Sequence, residues 1–179
     1  VSIGVNGKGL SLNRKFNQPN TIPLGKRNAH TILNTAFNGM NTANKYIPEE
    51  APMFWDNRIK SLEGQALEPI KSFDEMRGTR YEEHEILDEV VARLKAIPEY
   101  QQLFKTAFGV TESINIDNLG KAIASFERQL TANNSRFDQY MRGEENALSL
   151  SEKDGFELFM KAGCANCHNG PMFSDFKIH

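Results

Sequence analysis

The sequence lacks several features that would place it in a specialised class of protein. Among its 179 residues there are only two cysteines and one tryptophan, and the formal net charge is −2. Near-neutral charge argues against nucleic acid as the main partner. No apolar run approaches the roughly 20 residues of a membrane span, and we find no internal repeat or low-complexity tract. The composition is that of an ordinary globular protein with one core or two small ones.

The start of the chain lacks the marks of a complete N-terminus. There is no initiating methionine, and Val1–Gly4 has neither the basic start nor the apolar core of a secretory signal peptide. We therefore expect the natural protein to continue upstream of Val1.

The spacing of apolar residues predicts an all-α chain with long loops. Residues 1–50 are rich in Gly, Asn, Pro and Lys, which favours a long loop region with short helical turns. Further on, apolar residues recur every three or four positions, and no segment shows the sustained alternation of a strand. The predicted helices span residues 59–66, 82–96, 98–108, 117–130, 135–141 and 151–162.

Local signals predict where some of these elements begin and end. We expect the first helix to stop near Pro69, because proline cannot continue a helix without loss of a hydrogen bond. Residues 72–78 then indicate a loop that ends in glycine. Ser149 and Glu152 have the spacing of a capping box ahead of the last helix. The residues of that helix predicted to face inward are Phe156, Phe159 and Met160.

Both cysteines belong to one short motif directly after the last predicted helix. Cys164 and Cys167 are separated by two residues, and His168 follows, which is the C-x-x-C-H attachment signature of a c-type haem. Two thiols at this spacing can add to the two vinyl groups of one porphyrin. The adjacent histidine then falls under the iron as its axial ligand.

Three other interpretations of the C-x-x-C pair compete with haem attachment. Half a zinc site would need further ligands, and the other histidines are His30, His84 and His179. A thioredoxin-like redox motif would follow a strand rather than a predicted helix. A simple disulfide is the third alternative.

With these features in hand, the chain resembles the bacterial di-haem cytochrome c peroxidases, including their tryptophan-oxidising relatives. A single C-x-x-C-H is common to many cytochromes, whereas an ordered series of further short stretches is much more specific. The resemblance covers nearly the whole chain. The matching stretches are Ser2–Gly4, Arg27–Asn28, Phe54–Arg58, Leu62–Pro69, Glu75–Met76, Val91–Leu94, Ile97–Tyr100, Ala122–Arg128, Ser135–Asp138 and Cys164–Pro171.

The resemblance implies a cytochrome c-like architecture with two haem domains. The N-terminal haem would be the peroxidatic centre, and the C-terminal haem would pass electrons to it from a donor. Residues 1–132 would be the remainder of the N-terminal domain, and residues 133–179 the beginning of the C-terminal domain. The chain would then be incomplete at both ends, spanning the region between the two attachment motifs and including the second. The distal methionine ligand of the C-terminal haem would lie beyond His179.

The resemblance also assigns roles to three residues far from the motif. Glu75 would be the distal-pocket carboxylate that moves a proton during peroxide cleavage, although a solvated loop carboxylate is the alternative. Gln65 would hydrogen-bond bound peroxide or water, and otherwise would be a helix-surface glutamine. Trp55 would carry electrons between the haems, a role that a buried core tryptophan could also fill.

Two further positions concern the N-terminal part of the chain. Asn28 matches a ligand of a calcium ion, which prefers oxygen donors such as amide carbonyls; its alternative role is to cap a turn. Val5 stands where many family members have a histidine that closes the peroxidatic iron, and valine cannot ligate iron. Either this pocket is permanently open or another group closes it. If it is open, we expect the fully oxidised enzyme to be active without prior reduction. His84 is expected to be a solvated surface histidine.

The implied activity is the reduction of hydrogen peroxide to water by a periplasmic enzyme. The electrons would come from a small donor protein, a cytochrome c or a cupredoxin, and the intact protein would carry two covalent haems and form a homodimer. The present chain alone is expected to be inactive. The alternatives are a haem-containing electron carrier without peroxidase activity, and a di-haem oxidase of a protein substrate.

Overall fold

The structure, a computed structural model, describes residues 29–40, 45–109 and 112–179. The predictions for Val5 and Asn28 lie outside these residues. Within the described parts of the chain, no helix is long and apolar enough to cross a membrane.

The described chain is mostly helical, which confirms the predicted all-α class. The α-helices are α1 (Leu62–Lys71), α2 (Ile86–Lys95), α3 (Pro98–Phe108), α4 (Ile116–Gln129), α5 (Arg136–Met141) and α6 (Leu150–Lys161). Shorter 3-10 turns span Thr35–Phe37, Pro48–Glu50, Glu145–Ala147 and Cys164–Asn166, and a π-helical turn spans Phe73–Arg77. Two strands, β1 (Pro52–Met53) and β2 (Ile59–Lys60), pair antiparallel, with Pro52 opposite Lys60 and Met53 opposite Ile59.

The structure corrects the predicted helix at residues 59–66. Ile59 and Lys60 form β2, because they pair with the distant β1, and local periodicity cannot reveal such a pairing. The helix begins at Leu62 and continues through Pro69. Proline removes one hydrogen bond, the one its N–H would have donated to the carbonyl of Gln65, and the helix tolerates this loss.

The described residues divide into two compact units. The first contains α2 and α3 together with most of α1 and α4, and spans Glu63–Ser125 with Ala29 and His30. Its core is apolar and comes from the inward faces of the helices. The buried side chains of this core are Ile70, Ile86, Val91, Phe104, Ile114 and Leu119.

The second unit combines Thr31–Leu62 with Phe126–His179. Ala51, Met53 and Leu62 are its buried apolar residues. These two compact units do not test the predicted boundary between two haem domains at residue 132. That boundary stays a prediction.

Candidate functional site

Helix α6 carries the chain to the C-x-x-C-H motif. Its N-terminus is the predicted capping box: the Ser149 hydroxyl accepts from the backbone N–H of Glu152, and the Glu152 carboxylate accepts from the Ser149 N–H. These hydrogen bonds hold the pKa of the Glu152 carboxyl below its usual value. At the other end, α6 ends at Lys161, and Gly163, directly before Cys164, takes a left-handed conformation with φ 81° that favours glycine.

The motif forms one compact turn that exposes all three of its functional side chains. The backbone N–H groups of Cys167 and His168 both donate to the carbonyl of Cys164, at 3.3 and 2.9 Å. Both cysteines are free and exposed, so they form no disulfide with each other. His168 is exposed beside them. Two free thiols and an imidazole on one turn are the groups that covalent attachment of a haem requires.

The imidazole of His168 is oriented by the chain that follows it. Its Nδ1 lies 3.1 Å from the carbonyl oxygen of Phe173. Since a carbonyl oxygen only accepts, Nδ1 must carry the proton and donate it. The other nitrogen, Nε2, is then the one with a lone pair for a metal. This is the tautomer that an axial ligand of iron needs.

Aromatic side chains surround the motif. Phe159 of α6 lies with its ring centroid 6.4 Å from that of His168 and 6.2 Å from that of Phe173. Phe137 of α5 contacts Phe173 at 5.3 Å between centroids. Phe173 is nevertheless 44% exposed, and Met160, predicted to face inward, is 53% exposed. An apolar macrocycle lying over the motif would find apolar side chains to cover, so the residues present fit a c-type haem.

The structure also bears on the zinc alternative. Ligand atoms of Cys167, Asp175 and His179 lie within 4.8 Å of one another, and the His179 Nε2 is 3.0 Å from an Asp175 carboxylate oxygen. A hydrogen bond from the Lys177 backbone, ahead of the His179 contact, lowers the pKa of Asp175. A structural zinc site needs four protein ligands, and no fourth cysteine, histidine or carboxylate joins this group among the described residues.

Trp55 lies at the tip of the β1–β2 hairpin, in the same unit as the motif. Its side chain is 64% exposed, so it is not a core tryptophan in the described structure. The loop around it is well defined: the N–H of Asn57 donates to the Phe54 carbonyl at 3.2 Å. The guanidinium of Arg58 lies 3.7 Å from the Phe54 ring centroid and pairs with Asp56 at 3.0 Å.

Gln65 lies in the middle of α1, and the residue as a whole is half-buried. Its side-chain oxygen Oε1 is buried and accepts no hydrogen bond from the residues that the structure describes. An unsatisfied buried acceptor costs about 1–3 kcal/mol. A ligand with an O–H group, such as water or peroxide, would satisfy it.

Glu75 lies on the π-helical turn directly after α1. Isolated π-helical turns are rare and occur frequently at functional sites. Arg77 holds the turn, since its side chain donates to the carbonyls of Lys71 at 2.8 Å and Tyr81 at 3.1 Å. Glu75 itself is exposed. The loop predicted over 72–78 is therefore a structured turn, and this turn fixes the backbone position from which the Glu75 side chain extends.

The structure places the predicted site residues in two groups. Gln65 and Glu75 lie on consecutive elements of the first unit, whereas Trp55 and the haem motif lie in the second. Two contributions were missed by sequence reasoning. The Phe173 carbonyl and the Asn57 side chain make their contacts through the backbone or over a long sequence separation, so no motif signals them. His84 is exposed, as predicted.

Comparison with known proteins adds an independent line of evidence. A family model described as di-haem cytochrome c peroxidase matches residues 4–146, a range that ends before Cys164. The helical fold and the exposed C-x-x-C-H turn fit the class of c-type haem proteins. Since the family match covers most of the chain, the chain belongs to the di-haem cytochrome c peroxidase family.

Individual relatives agree with this assignment. The chain is 40% identical over 147 residues to cytochrome c551 peroxidase of Nitrosomonas europaea, covering 82% of this chain and 38% of that protein. It is 43% identical over 126 residues to methylamine utilization protein MauG of Methylorubrum extorquens, covering 70% of this chain and 34% of that protein. The chain thus spans well under half the length of these relatives.

A solved structure is also similar. It is the crystal structure of a MauG-like protein associated with microbial copper homeostasis, with a TM-score of 0.55 and 27% identity. The match covers 78% of this chain and 44% of that one. The similarity supports the helical architecture described above.

Proposed function

We propose that this chain is part of an enzyme that reduces hydrogen peroxide to water with electrons from a small donor protein. The donor would be a cytochrome c or a cupredoxin, and the electrons would pass from a C-terminal haem to a peroxidatic haem. Calcium binding at Asn28, a homodimer and a periplasmic location are further proposals that rest on the family resemblance.

The observation that carries this proposal is the buried Oε1 of Gln65, which accepts no hydrogen bond from any residue that the structure describes. A pure electron carrier has no need for an orphaned acceptor, which destabilises the protein unless a ligand donates to it. Hydrogen peroxide has two O–H donors and is small enough for a site beside a helix. Gln65 would therefore orient peroxide by accepting a hydrogen bond from one of its O–H groups.

Glu75 would handle the protons of the reaction. Reduction consumes two electrons and two protons for each peroxide, and yields two waters. The carboxylate of Glu75 would take the proton from one peroxide oxygen and deliver it to the departing oxygen, since a carboxylate can both accept and return a proton. The short turn held by Arg77 would keep the carboxylate in place during both transfers.

The motif residues would hold the C-terminal haem. Cys164 and Cys167 would bind it through thioether bonds, and the Nε2 of His168 would ligate its iron while Nδ1 stays bonded to Phe173. When bound, the haem iron supplies the one-electron chemistry that no side chain of this chain can perform. Trp55 would carry electrons from this haem toward the peroxidatic one.

The proposal can be tested with the full-length, haem-loaded protein. We expect Glu75→Gln to lower the rate of peroxide reduction by about 10²–10⁴-fold, the usual contribution of general acid–base catalysis. Haem content should not change. The matched control is Glu83→Gln, which removes an exposed carboxylate in the same part of the chain. Turnover near the wild-type rate in Glu75→Gln would contradict the assigned role.

A second test concerns the covalent link. The red colour of the purified protein should survive extraction with acidified acetone, because thioether bonds resist it. Complete extraction of the colour would contradict attachment through Cys164 and Cys167.

A second candidate function is oxidation of a protein substrate by the same two haems. It rests on the family resemblance, and the chain is 43% identical over 126 residues to a relative whose name gives a role in methylamine utilization rather than a peroxidase activity. The two functions differ in what supplies the electrons. If the loaded protein consumes peroxide only in the presence of a reduced small donor protein, the peroxidase function is favoured. Consumption coupled to oxidation of a partner's side chains would favour the alternative.

A further inference from the structure

We propose that Asn57 is a positioning residue that tethers the Trp55 hairpin to the chain holding the haem ligand His168. The side-chain amide of Asn57 donates to the carbonyl of Phe176 with an N–O distance of 2.7 Å. The two residues are 119 positions apart and the bond is partly buried. The inference rests on the proposed role of Trp55 in electron transfer.

The acceptor lies on a segment that is connected to His168 by hydrogen bonds. The Nδ1 of His168 lies 3.1 Å from the Phe173 carbonyl. The N–H of Ser174 donates to the carbonyl of Asn169 at 2.8 Å, and the N–H of Phe176 donates to the Ser174 hydroxyl at 3.0 Å. The carbonyl that receives the Asn57 amide is therefore held in a fixed relation to the imidazole.

The donor residue, Asn57, is two residues from Trp55 on the same hairpin turn. The turn is closed by the Asn57 N–H to the Phe54 carbonyl. At the base of the hairpin, the Ser61 N–H donates to the Ala51 carbonyl at 2.9 Å. Asn38 supports the other strand, since its side-chain amide donates to the Pro52 carbonyl at 3.4 Å. Asn57 thus links the hairpin tip that carries Trp55 to the motif segment.

Asparagine is well suited to this position because two demands coincide there. Asn57 has φ 52°, in the left-handed region that glycine, asparagine and aspartate tolerate best. Glycine meets the backbone demand but has no side chain. Aspartate also meets it, but its ionised carboxylate cannot donate to a carbonyl. Of these three residues, only asparagine supplies both the conformation and the donor.

This division of demands defines the experiment. In the full-length, haem-loaded protein, Asn57→Gly removes the tether and keeps the backbone at ease, so a purely conformational role predicts no loss. Asn57→Asp keeps a side chain of the same size but places an acceptor against an acceptor. Lys60→Ala, at an exposed position of the same hairpin, is the control.

The first measurement is amide hydrogen exchange of residues 52–60. Loss of one hydrogen bond between neutral groups should speed exchange in Asn57→Gly by roughly two- to tenfold, with Lys60→Ala unchanged. The fluorescence emission of Trp55, obtained as the difference from a Trp55→Phe variant, should change in Asn57→Gly and stay unchanged in Lys60→Ala. If exchange and emission match the wild type, there is no tether and the proposal is wrong.

The second measurement is the rate of electron transfer between the two haems after rapid reduction of the C-terminal one. We expect this rate to fall by about twofold or more in both Asn57 variants, because a smaller fraction of molecules is in the competent arrangement. Haem content and both reduction potentials should not change, which separates positioning from general damage. Faster exchange with an unchanged transfer rate would overturn the positioning role.

The Trp55→Phe variant distinguishes the failure of this inference from the failure of the proposed function. If Trp55→Phe leaves electron transfer unchanged, the assumed route through Trp55 is wrong, whatever the exchange data show. If Trp55→Phe slows transfer and Asn57→Gly does not, the route stands and the tether is irrelevant to it.

Discussion

The two compact units of this chain are stabilised in different ways. The unit around α2 and α3 encloses a continuous apolar core contributed by four helices. The unit with the haem motif buries few large apolar side chains, whereas Leu150, Leu158 and Ile178 are 80%, 65% and 72% exposed. Asparagine side chains that bond to distant backbone groups connect its parts. The first unit is thus built by helix packing around an apolar core. The second combines long-range polar contacts with a partly exposed aromatic cluster beside a motif that fits a cofactor.

The largest expected effect comes from removing haem attachment. Replacing both Cys164 and Cys167 by alanine in the full-length protein should abolish covalent haem. It should also raise hydrogen exchange throughout residues 126–179, while residues 86–119 keep their protection. Lys161→Ala, an exposed position before the motif, is the control. An equal loss of protection in both units would contradict the comparison.

The next largest effect is expected in the apolar core. Phe104 is 7% exposed, whereas its neighbour Leu103 on the same helix is 56% exposed. Phe104→Ala should lower the free energy of unfolding of its unit by about 3–5 kcal/mol, as truncation of a buried phenylalanine usually does. Leu103→Ala should stay within about 0.5 kcal/mol of the wild type. Urea unfolding measures the free energy of unfolding of both variants. Similar losses in the two would contradict the described orientation of α3, in which Phe104 is buried and Leu103 is exposed.

Each polar contact of the second unit should contribute less to the free energy of unfolding than a buried phenylalanine of the first unit does. Asn34 donates from its side chain to the Ala132 carbonyl at 3.0 Å and accepts from the Ala132 N–H at 2.7 Å. Its φ of 62° suits glycine. Asn34→Gly therefore removes only the two side-chain bonds, and should cost about 1–3 kcal/mol of unfolding free energy. An unchanged free energy of unfolding in urea would show that these two hydrogen bonds between Asn34 and Ala132 do not stabilise the unit.

The smallest effect concerns the capping box of α6 and depends on pH. Hydrogen bonds from Ser149 lower the pKa of Glu152 from the usual 4.5. Its charge therefore contributes stability above pH 4.5, and this contribution is lost as the pH falls through the lowered pKa. Glu152→Gln should lower the melting temperature at pH 7, and the difference from the wild type should shrink below pH 4.5. A difference independent of pH would exclude the charge as its cause.

Much of the fold could be predicted because it follows from local signals. Pro98 and Gly109 bound α3 as predicted, and Ser149 caps α6, since a fixed φ, a left-handed conformation and a cap are properties of single residues. The strand at Ile59 and the π-helical turn at Glu75 could not be predicted. The strand exists through pairing with a distant partner, and the turn through contacts of Arg77 with the backbone.

By itself, the sequence determined the helical class and the attachment motif, because both depend on the spacing of residues that are neighbours in the chain. It also sufficed to indicate the family. Only the tertiary structure decided that the His168 imidazole bonds to Phe173, that Gln65 Oε1 is buried with no partner among the described residues, and that Asn57 reaches Phe176. Those facts depend on where a backbone carbonyl or a neighbouring helix lies in space, and residue types along the chain do not encode such positions locally.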